Sequence, residues 1–373
     1  MNPFLTNNYN GPEFFCDREA ETQLLLSHIA NQNNTVFFAQ RRIGKTALIK
    51  HVFYLLQKKK TNCIYLDIYA TRHLKDFTND LANAIYQIFP IRKTVGKHFM
   101  ESLKLLRPII SLDEVSGTPQ LSLDITRTHQ YEKTIVQLLQ FLDTQNTKVV
   151  IAIDEFQQIL NYPEKNIEAL LRSAIQRLKN VQFIFCGSNQ NMMHHIFNSA
   201  KRPFYASAKN IHLRRINTNV YKDFIEEIFA RYKIKVDKNA LELILELTCG
   251  HTYYTQCLCN EIFALHDKRI NEEKVYMALR ELLLSNEGVY YQYRNLLTAT
   301  QWKLLKAIAV DEKVDQPYSQ NFIHSHLLGT SAIVKRSLES LIAKEMIYHH
   351  TDLDKPYYEV YDKFLMRWLQ RKS

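Results

Sequence analysis

The stretch FFAQRRIGKTALIK, residues 37–50, decides how the rest of the chain is read. Its first residues belong to NTVFFA, residues 34–39, an apolar run with aromatic and β-branched members. Such a run suits a central parallel strand covered on both faces. The following GKTALIKHVFYLLQ carries Leu48, Ile49, Val52, Phe53, Leu55 and Leu56 at helical spacing. Strand, loop and helix in that order form the setting that a phosphate-binding GxxxxGK[ST] loop demands. A helix N-terminus points unpaired N–H groups and a positive dipole end at the loop, which favours bound phosphate. On this reading the backbone of Arg42, Ile43, Gly44 and Ala47 cradles the phosphates of ATP. Lys45 meets the β- and γ-phosphates, and Thr46 places its hydroxyl on Mg²⁺. The first glycine of the motif is replaced by Ala39, which the turn tolerates if φ is negative there.

A second stretch supplies the acidic half of such a site. KVVIAIDEFQQIL, residues 148–160, runs five apolar residues into Asp154 and Glu155. Buried strands do not end in two carboxylates without a reason, because burying charge is costly. Asp154 is expected to hold Mg²⁺, directly or through water, and Glu155 to polarise the water that attacks the γ-phosphate. A further strand, VQFIFCGSN at 181–189, ends in Ser188 and Asn189. Those two are candidates for orienting the attacking water.

Together these motifs resemble the archaeal-type P-loop ATPases, a branch between the AAA+ and STAND groups. FFCDREAE, residues 14–21, looks like the GRExE box that precedes the phosphate-loop strand in that family. The resemblance implies that Asp17 and Arg18 lie against the adenine. RRIGKT carries the paired arginines typical of the group, and GSNQNMM (187–193) followed by RPFYASA (202–208) completes the match. The resemblance covers the chain from about residue 11 onward. It implies an α/β P-loop NTPase fold with an AAA+-like parallel sheet, order 5-1-4-3-2. An α-helical lid and a winged helix follow. There are departures from the family pattern. Asp17 stands where many relatives have glycine, and Ser207 stands where many have arginine. Arg202, Arg214 and Arg215 are nearby substitutes.

The expected organisation is an ATPase domain over 11–215, a helical lid over 216–287 and a winged helix over 288–373. Residues 107–125 alternate around Gly117-Thr118-Pro119 and read as a β-hairpin insertion. His251, in CGHTYYTQ, reads as an ordinary capping or surface residue. LTATQWKLLKAIA is an amphipathic helix opened by Thr298, and two further helices and a two-stranded wing follow it. In a winged helix that reads duplex DNA the third helix enters the major groove, which makes Ser331, Lys335 and Arg336 the candidate contacts. Residues 294–373 hold twelve Lys and Arg against nine Asp and Glu, a net of +3 and a faint electrostatic footprint.

The totals narrow the remaining choices. With 373 residues the chain is long enough for two or three cores. Its net charge of +10 permits a polyanionic partner such as DNA. The six cysteines lack a CxxC pair and suit reduced thiols in the cytoplasm. No apolar run is long enough to span a bilayer, and the scattered histidines lack the acidic or cysteine neighbours of a metal site. The leading expectation is a Mg²⁺-dependent ATPase that couples ATP or ADP state to motion, acting on or with DNA. One alternative is a slow STAND-like switch whose winged helix clamps nucleotide or docks a partner protein or a second copy. Another is a DNA-binding regulator with vestigial nucleotide binding.

Overall fold

The computed structural model describes residues 2–6, 9–90, 94–103, 108–114, 117–124, 128–351 and 355–371. The chain divides into two compact units, residues 8–214 and residues 1–7 with 215–373.

In the first unit the elements run α1 (Glu19–Ala30), β1 (Thr35–Ala39), α2 (Lys45–Lys58), β2 (Asn62–Asp67), α3 (Leu74–Ile88) and α4 (Thr94–Ser102). They continue with β3 (Pro108–Leu112), β4 (Pro119–Leu123), α5 (Thr128–Asp143), β5 (Val149–Asp154), α6 (Ile167–Ile175), β6 (Val181–Phe185), α7 (Gln190–Asn198) and β7 (Lys209–Leu213). The main sheet is parallel with order β2-β5-β6-β1-β7. Numbered by its own five strands, that is the expected 5-1-4-3-2. The period of two along each strand sends alternate residues to opposite faces. Val36, Phe38, Val149, Ile151 and Ile153 join one apolar layer with α3 and α5. Phe37, Ala39, Val150 and Ala152 join the other, with Leu25 of α1 and Leu48, Ile49 and Val52 of α2. Both faces of the sheet are therefore covered, which is why the central strands are apolar throughout.

The expected hairpin is present, β3 pairing antiparallel with β4 and Gly117 adopting a left-handed φ of 65°. Positions 107, 115, 116 and 125 of that insertion lie outside the described residues. Side chains from α3 fasten the outer edge of β4. Asn79 Oδ1 accepts from the Leu123 N–H at 3.0 Å, Asn83 Oδ1 from the Leu121 N–H at 3.1 Å, and Gln87 Nε2 donates to the Pro119 carbonyl at 2.7 Å. Spacing of four residues puts the three amides on one helix face, so the helix takes the place of a neighbouring strand.

The second unit is built from α8 (Thr218–Arg231), β8 (Lys235–Val236), α9 (Lys238–Leu247), α10 (Thr252–Ala264), β9 (Arg269–Ile270) and α11 (Glu272–Leu296). After these come α12 (Ala299–Asp311), α13 (Gln320–Ser325), α14 (Ser331–Ala343), β10 (Ile347–His350), β11 (Tyr357–Val360) and α15 (Lys363–Arg371). Thr298 opens α12 with a capping box completed by Gln301. The boundary expected at 287/288 falls inside α11, which runs through it unbroken. Phe4, 1% exposed, returns from the N-terminal segment to pack on Phe229 at 4.6 Å between ring centroids.

A buried ionic knot ties β10, β11 and α15 to the start of this unit. Glu359 accepts from Lys363 Nζ at 2.9 Å, His350 Nε2 at 2.9 Å and the Arg215 guanidinium. Burial opposes ionisation of Glu359, but Lys363, His350 and Arg215 together hold its carboxyl well below the usual carboxylate range. Arg215 also donates to the Cys249 carbonyl at 2.9 Å. Arg367 of α15 donates to the Leu247 and Glu246 carbonyls at 2.9 and 2.7 Å, satisfying the C-terminal end of α9. Trp368 donates to Glu287 at 3.1 Å and packs on Tyr290, so α15 also grips α11. No helix among the described residues is long and apolar enough to cross a membrane.

Candidate functional site

The loop between β1 and α2 shows why the first glycine is dispensable. Ala39 is the last residue of an extended, fully buried strand, and the left-handed φ values fall instead at Arg42 (62°) and Gly44 (106°). Gly44 occupies the N-cap of α2 with no side chain to cap it. The first-turn N–H groups of α2 therefore face the loop. Lys45, 7% exposed, donates from Nζ to the Gln40 carbonyl at 3.1 Å. Burial pulls its pKa below the ordinary lysine value, opposed by Cys186, Asp154 and Glu155 beside it. Behind the loop Arg18 is buried, in the left-handed region with Asp17. It donates to Glu21 at 2.9 Å and to the Ile43 carbonyl at 3.4 Å. Arg18 thus buttresses the loop from the side.

Parallel pairing brings the acidic strand beside the loop. Asp154 lies opposite Asp67 in register and is 7% exposed. Its Oδ2 accepts from Thr46 Oγ1 at 3.1 Å and from the Tyr65 hydroxyl. Its Oδ1 accepts from the Glu155 N–H at 3.0 Å and from Cys186 Sγ at 3.2 Å. Burial and the Asp154 carboxylate push the Tyr65 phenol up, and burial does the same for the Cys186 thiol, so both stay protonated donors. Thr46 and Asp154 are both hard oxygen donors, the type Mg²⁺ takes. Among the described residues no three His, Cys, Asp or Glu side chains gather as a metal cage.

Glu155 leaves the strand with a left-handed φ of 56°, an uncommon conformation for a residue with a side chain. Its Oε2 accepts from the Ser188 hydroxyl at 2.7 Å, from the Ser188 N–H at 3.2 Å and from Gln157 Nε2. Gly187 makes room for this: a Cβ there would meet Gln157 Oε1 at 2.0 Å. Gln157 Oε1 is itself buried without a hydrogen-bond partner. Of the two strand-end candidates, then, Ser188 reaches Glu155. The Asn189 side chain instead caps α7, accepting from the Met192 N–H at 3.1 Å.

Elsewhere the candidates fall out as follows. Arg202 pairs with Glu168, and Arg215 is committed to the ionic knot. The Ser207 hydroxyl donates to the Phe204 carbonyl at 2.6 Å. His251 is 3% exposed at the N-cap of α10, against Tyr254, so it is a packed residue and not a surface one. Ser331, Lys335 and Arg336 are all exposed on α14, whose N-cap is Thr330. Tyr65, Cys186 and Gln157 were not among the candidates read from sequence.

Residues 15–258 match the family model described as an ATPase domain predominantly from Archaea, and residues 288–371 match a probable winged helix domain. No curated protein sequence matches the chain. The Walker-type ATPase PABY2304 of Pyrococcus abyssi has a similar structure, with TM-score 0.67 and 20% identity over 99% of each chain. The Aeropyrum pernix ORC2 protein, solved as ADPNP–ADP complexes, gives TM-score 0.60 and 15% identity over 99% of this chain and 96% of that one. The Aeropyrum pernix ORC1 protein in complex with DNA gives 0.52 and 15% over 97% and 94%.

Proposed function

Because this chain belongs to the family of ATPase domains found predominantly in Archaea, we propose that it binds ATP with Mg²⁺ at the β1–α2 loop and hydrolyses it. The observation that carries this reading is the meeting of Thr46, Asp154 and Glu155 around one loop. Lys45 and the first-turn N–H groups of α2 hold the phosphates. Thr46 and Asp154 would hold Mg²⁺, which neutralises charge developing on the phosphates. Glu155 accepts the proton of the attacking water, and Ser188 holds the carboxylate in reach of it. Asp17 and Arg18 shape the loop on the adenine side. A cytoplasmic setting, where thiols stay reduced, is part of the proposal.

Replacing Lys45 by alanine removes a charged hydrogen-bond donor worth about 1.5–3 kcal/mol. ATP affinity should fall by roughly 10- to 100-fold, measured by calorimetry on the folded variant. Undiminished affinity would remove the phosphate-loop assignment.

The energy of hydrolysis is proposed to drive motion that reaches the winged helix, with duplex DNA as the partner. The exposed Ser331, Lys335 and Arg336 on α14 support this, and the similarly folded ORC1 protein is itself in complex with DNA. Alanine at both Lys335 and Arg336 should weaken duplex binding and flatten the log-affinity versus log-salt slope by about two. A salt titration of both proteins checks it. No binding of duplex at low salt would favour the slow switch, with the winged helix docking a protein or a second copy. The vestigial-site reading sits poorly with Lys45, Thr46, Asp154 and Glu155 all in place.

A further inference from the structure

Asp154 is saturated with donors. A carboxylate offers two lone-pair positions on each oxygen, and here four donors meet them. Thr46 Oγ1 (3.1 Å) and Tyr65 Oη meet Oδ2, and the Glu155 N–H (3.0 Å) and Cys186 Sγ (3.2 Å) meet Oδ1. A divalent cation approaching this carboxylate meets a group whose orientation those donors set. The four differ in their freedom to move. The Glu155 N–H is backbone and cannot leave. Cys186 is fully buried, and its thiol also reaches the Ile153 carbonyl at 3.5 Å. Tyr65 is carried by β2, whose pairing with β5 sets Tyr65 opposite Ala152, one step below the carboxylate on the same face. Thr46 is a small hydroxyl whose oxygen can bind a metal ion while its O–H still points at Asp154 Oδ2.

We propose that Tyr65 is the positioning residue of this metal site: its hydroxyl pins Asp154 Oδ2 beside the Thr46 oxygen, so that a small, hydrated cation held by Thr46 meets the carboxylate in one fixed orientation. The inference rests on the nucleotide-site reading above and deepens it. Mg²⁺ demands near-ideal octahedral geometry and keeps several waters, whereas Ca²⁺ accepts flexible and bidentate carboxylates. A carboxylate fixed in one orientation by its donors favours the first and hinders bidentate binding of the second.

The test uses the full chain, a slowly hydrolysed fluorescent ATP analogue, and titrations with Mg²⁺, Ca²⁺ or EDTA. Tyr65→Phe keeps the ring and deletes only the hydroxyl. Affinity for the analogue in EDTA should equal that of the unaltered protein. The Mg²⁺ concentration needed to tighten binding should rise by about tenfold, the low end of what losing an outer-shell partner costs. The Ca²⁺ requirement should hold or fall, which a merely structural role would not produce. An unchanged Mg²⁺ requirement overturns the role of Tyr65 while leaving the ATPase reading intact. An equal loss with Mg²⁺, Ca²⁺ and EDTA also overturns it, since the ring change would then have damaged the loop. Absence of analogue binding by the unaltered protein overturns both.

Discussion

Glu155→Gln should leave Mg·ATP binding close to normal and lower turnover by roughly 10²- to 10⁴-fold, the span of a lost general base. The structure makes this substitution a clean one. Three donors converge on a single oxygen of Glu155, from the Ser188 hydroxyl, the Ser188 N–H and Gln157. An amide oxygen has the same shape and accepts in the same place, its two lone pairs shared among these donors as the carboxylate's are, so the left-handed turn and the Gly187 contact have no reason to change. What is lost is the capacity to take a proton from water. Single-turnover hydrolysis beside equilibrium binding of nucleotide separates the two effects. Turnover at the normal rate would mean that another group activates the water.

The second large effect is on stability. Glu359→Gln removes the carboxylate that Lys363, His350 and Arg215 share and leaves Lys363, 1% exposed, as a buried ammonium among Arg215 and His350. Breaking a buried pair by removing one partner costs about 3–5 kcal/mol, a large share of the 5–15 kcal/mol typical of a folded domain. Urea unfolding of the full chain measures it, and a cost below about 1 kcal/mol would show the knot to be solvated. The pH dependence has a definite sign. Glu359 titrates below ordinary carboxylates, so its contribution is complete above about pH 4.3, the unfolded value, and is lost as pH falls through the lower folded value. The variant lacks that acid limb. In it Lys363, whose pKa burial already pulls below the ordinary lysine value, has lost the Glu359 carboxylate that opposed that fall. The unfolded chain then holds that proton more tightly, so the variant should recover stability as pH rises towards about 10.4.

The parallel sheet was legible because two signals agreed. Apolar strands ended at charged residues, and the phosphate loop lay between a strand and a helix. Lys45, Thr46, Asp154 and Glu155 follow from that grammar alone. Tyr65 does not, because nothing in its neighbourhood links it to a carboxylate 89 positions away; only the register of β2 on β5 does so. Asn189 illustrates the reverse. A polar residue ahead of a helix serves equally well as a catalytic group or as a cap, and geometry alone assigned it to the cap. Nothing in the sequence marks Glu359 of β11 and Lys363 of α15 as partners, since burial of an ion pair leaves no periodic trace. Phe4 lies ahead of any recognisable motif, and its aromatic partners are more than two hundred residues downstream.

The unbroken α11 has a mechanical consequence. At 25 residues it is about 38 Å long, and it crosses the point at which one module was expected to give way to the next. Trp368 and Tyr290 rivet α15 to its side, while Arg367 rivets the same short helix to α9. A hinge needs a few residues that absorb dihedral change, and a continuous helix with such bracing supplies none along its length. Between Glu272 and Leu296 the unit has no elbow. A tilt of about 5° at one end of α11 sweeps the other by about 3 Å, given its rise of about 1.5 Å per residue. The first break after Glu272 comes at Leu297, where the backbone turns extended before α12, and not at the expected module boundary.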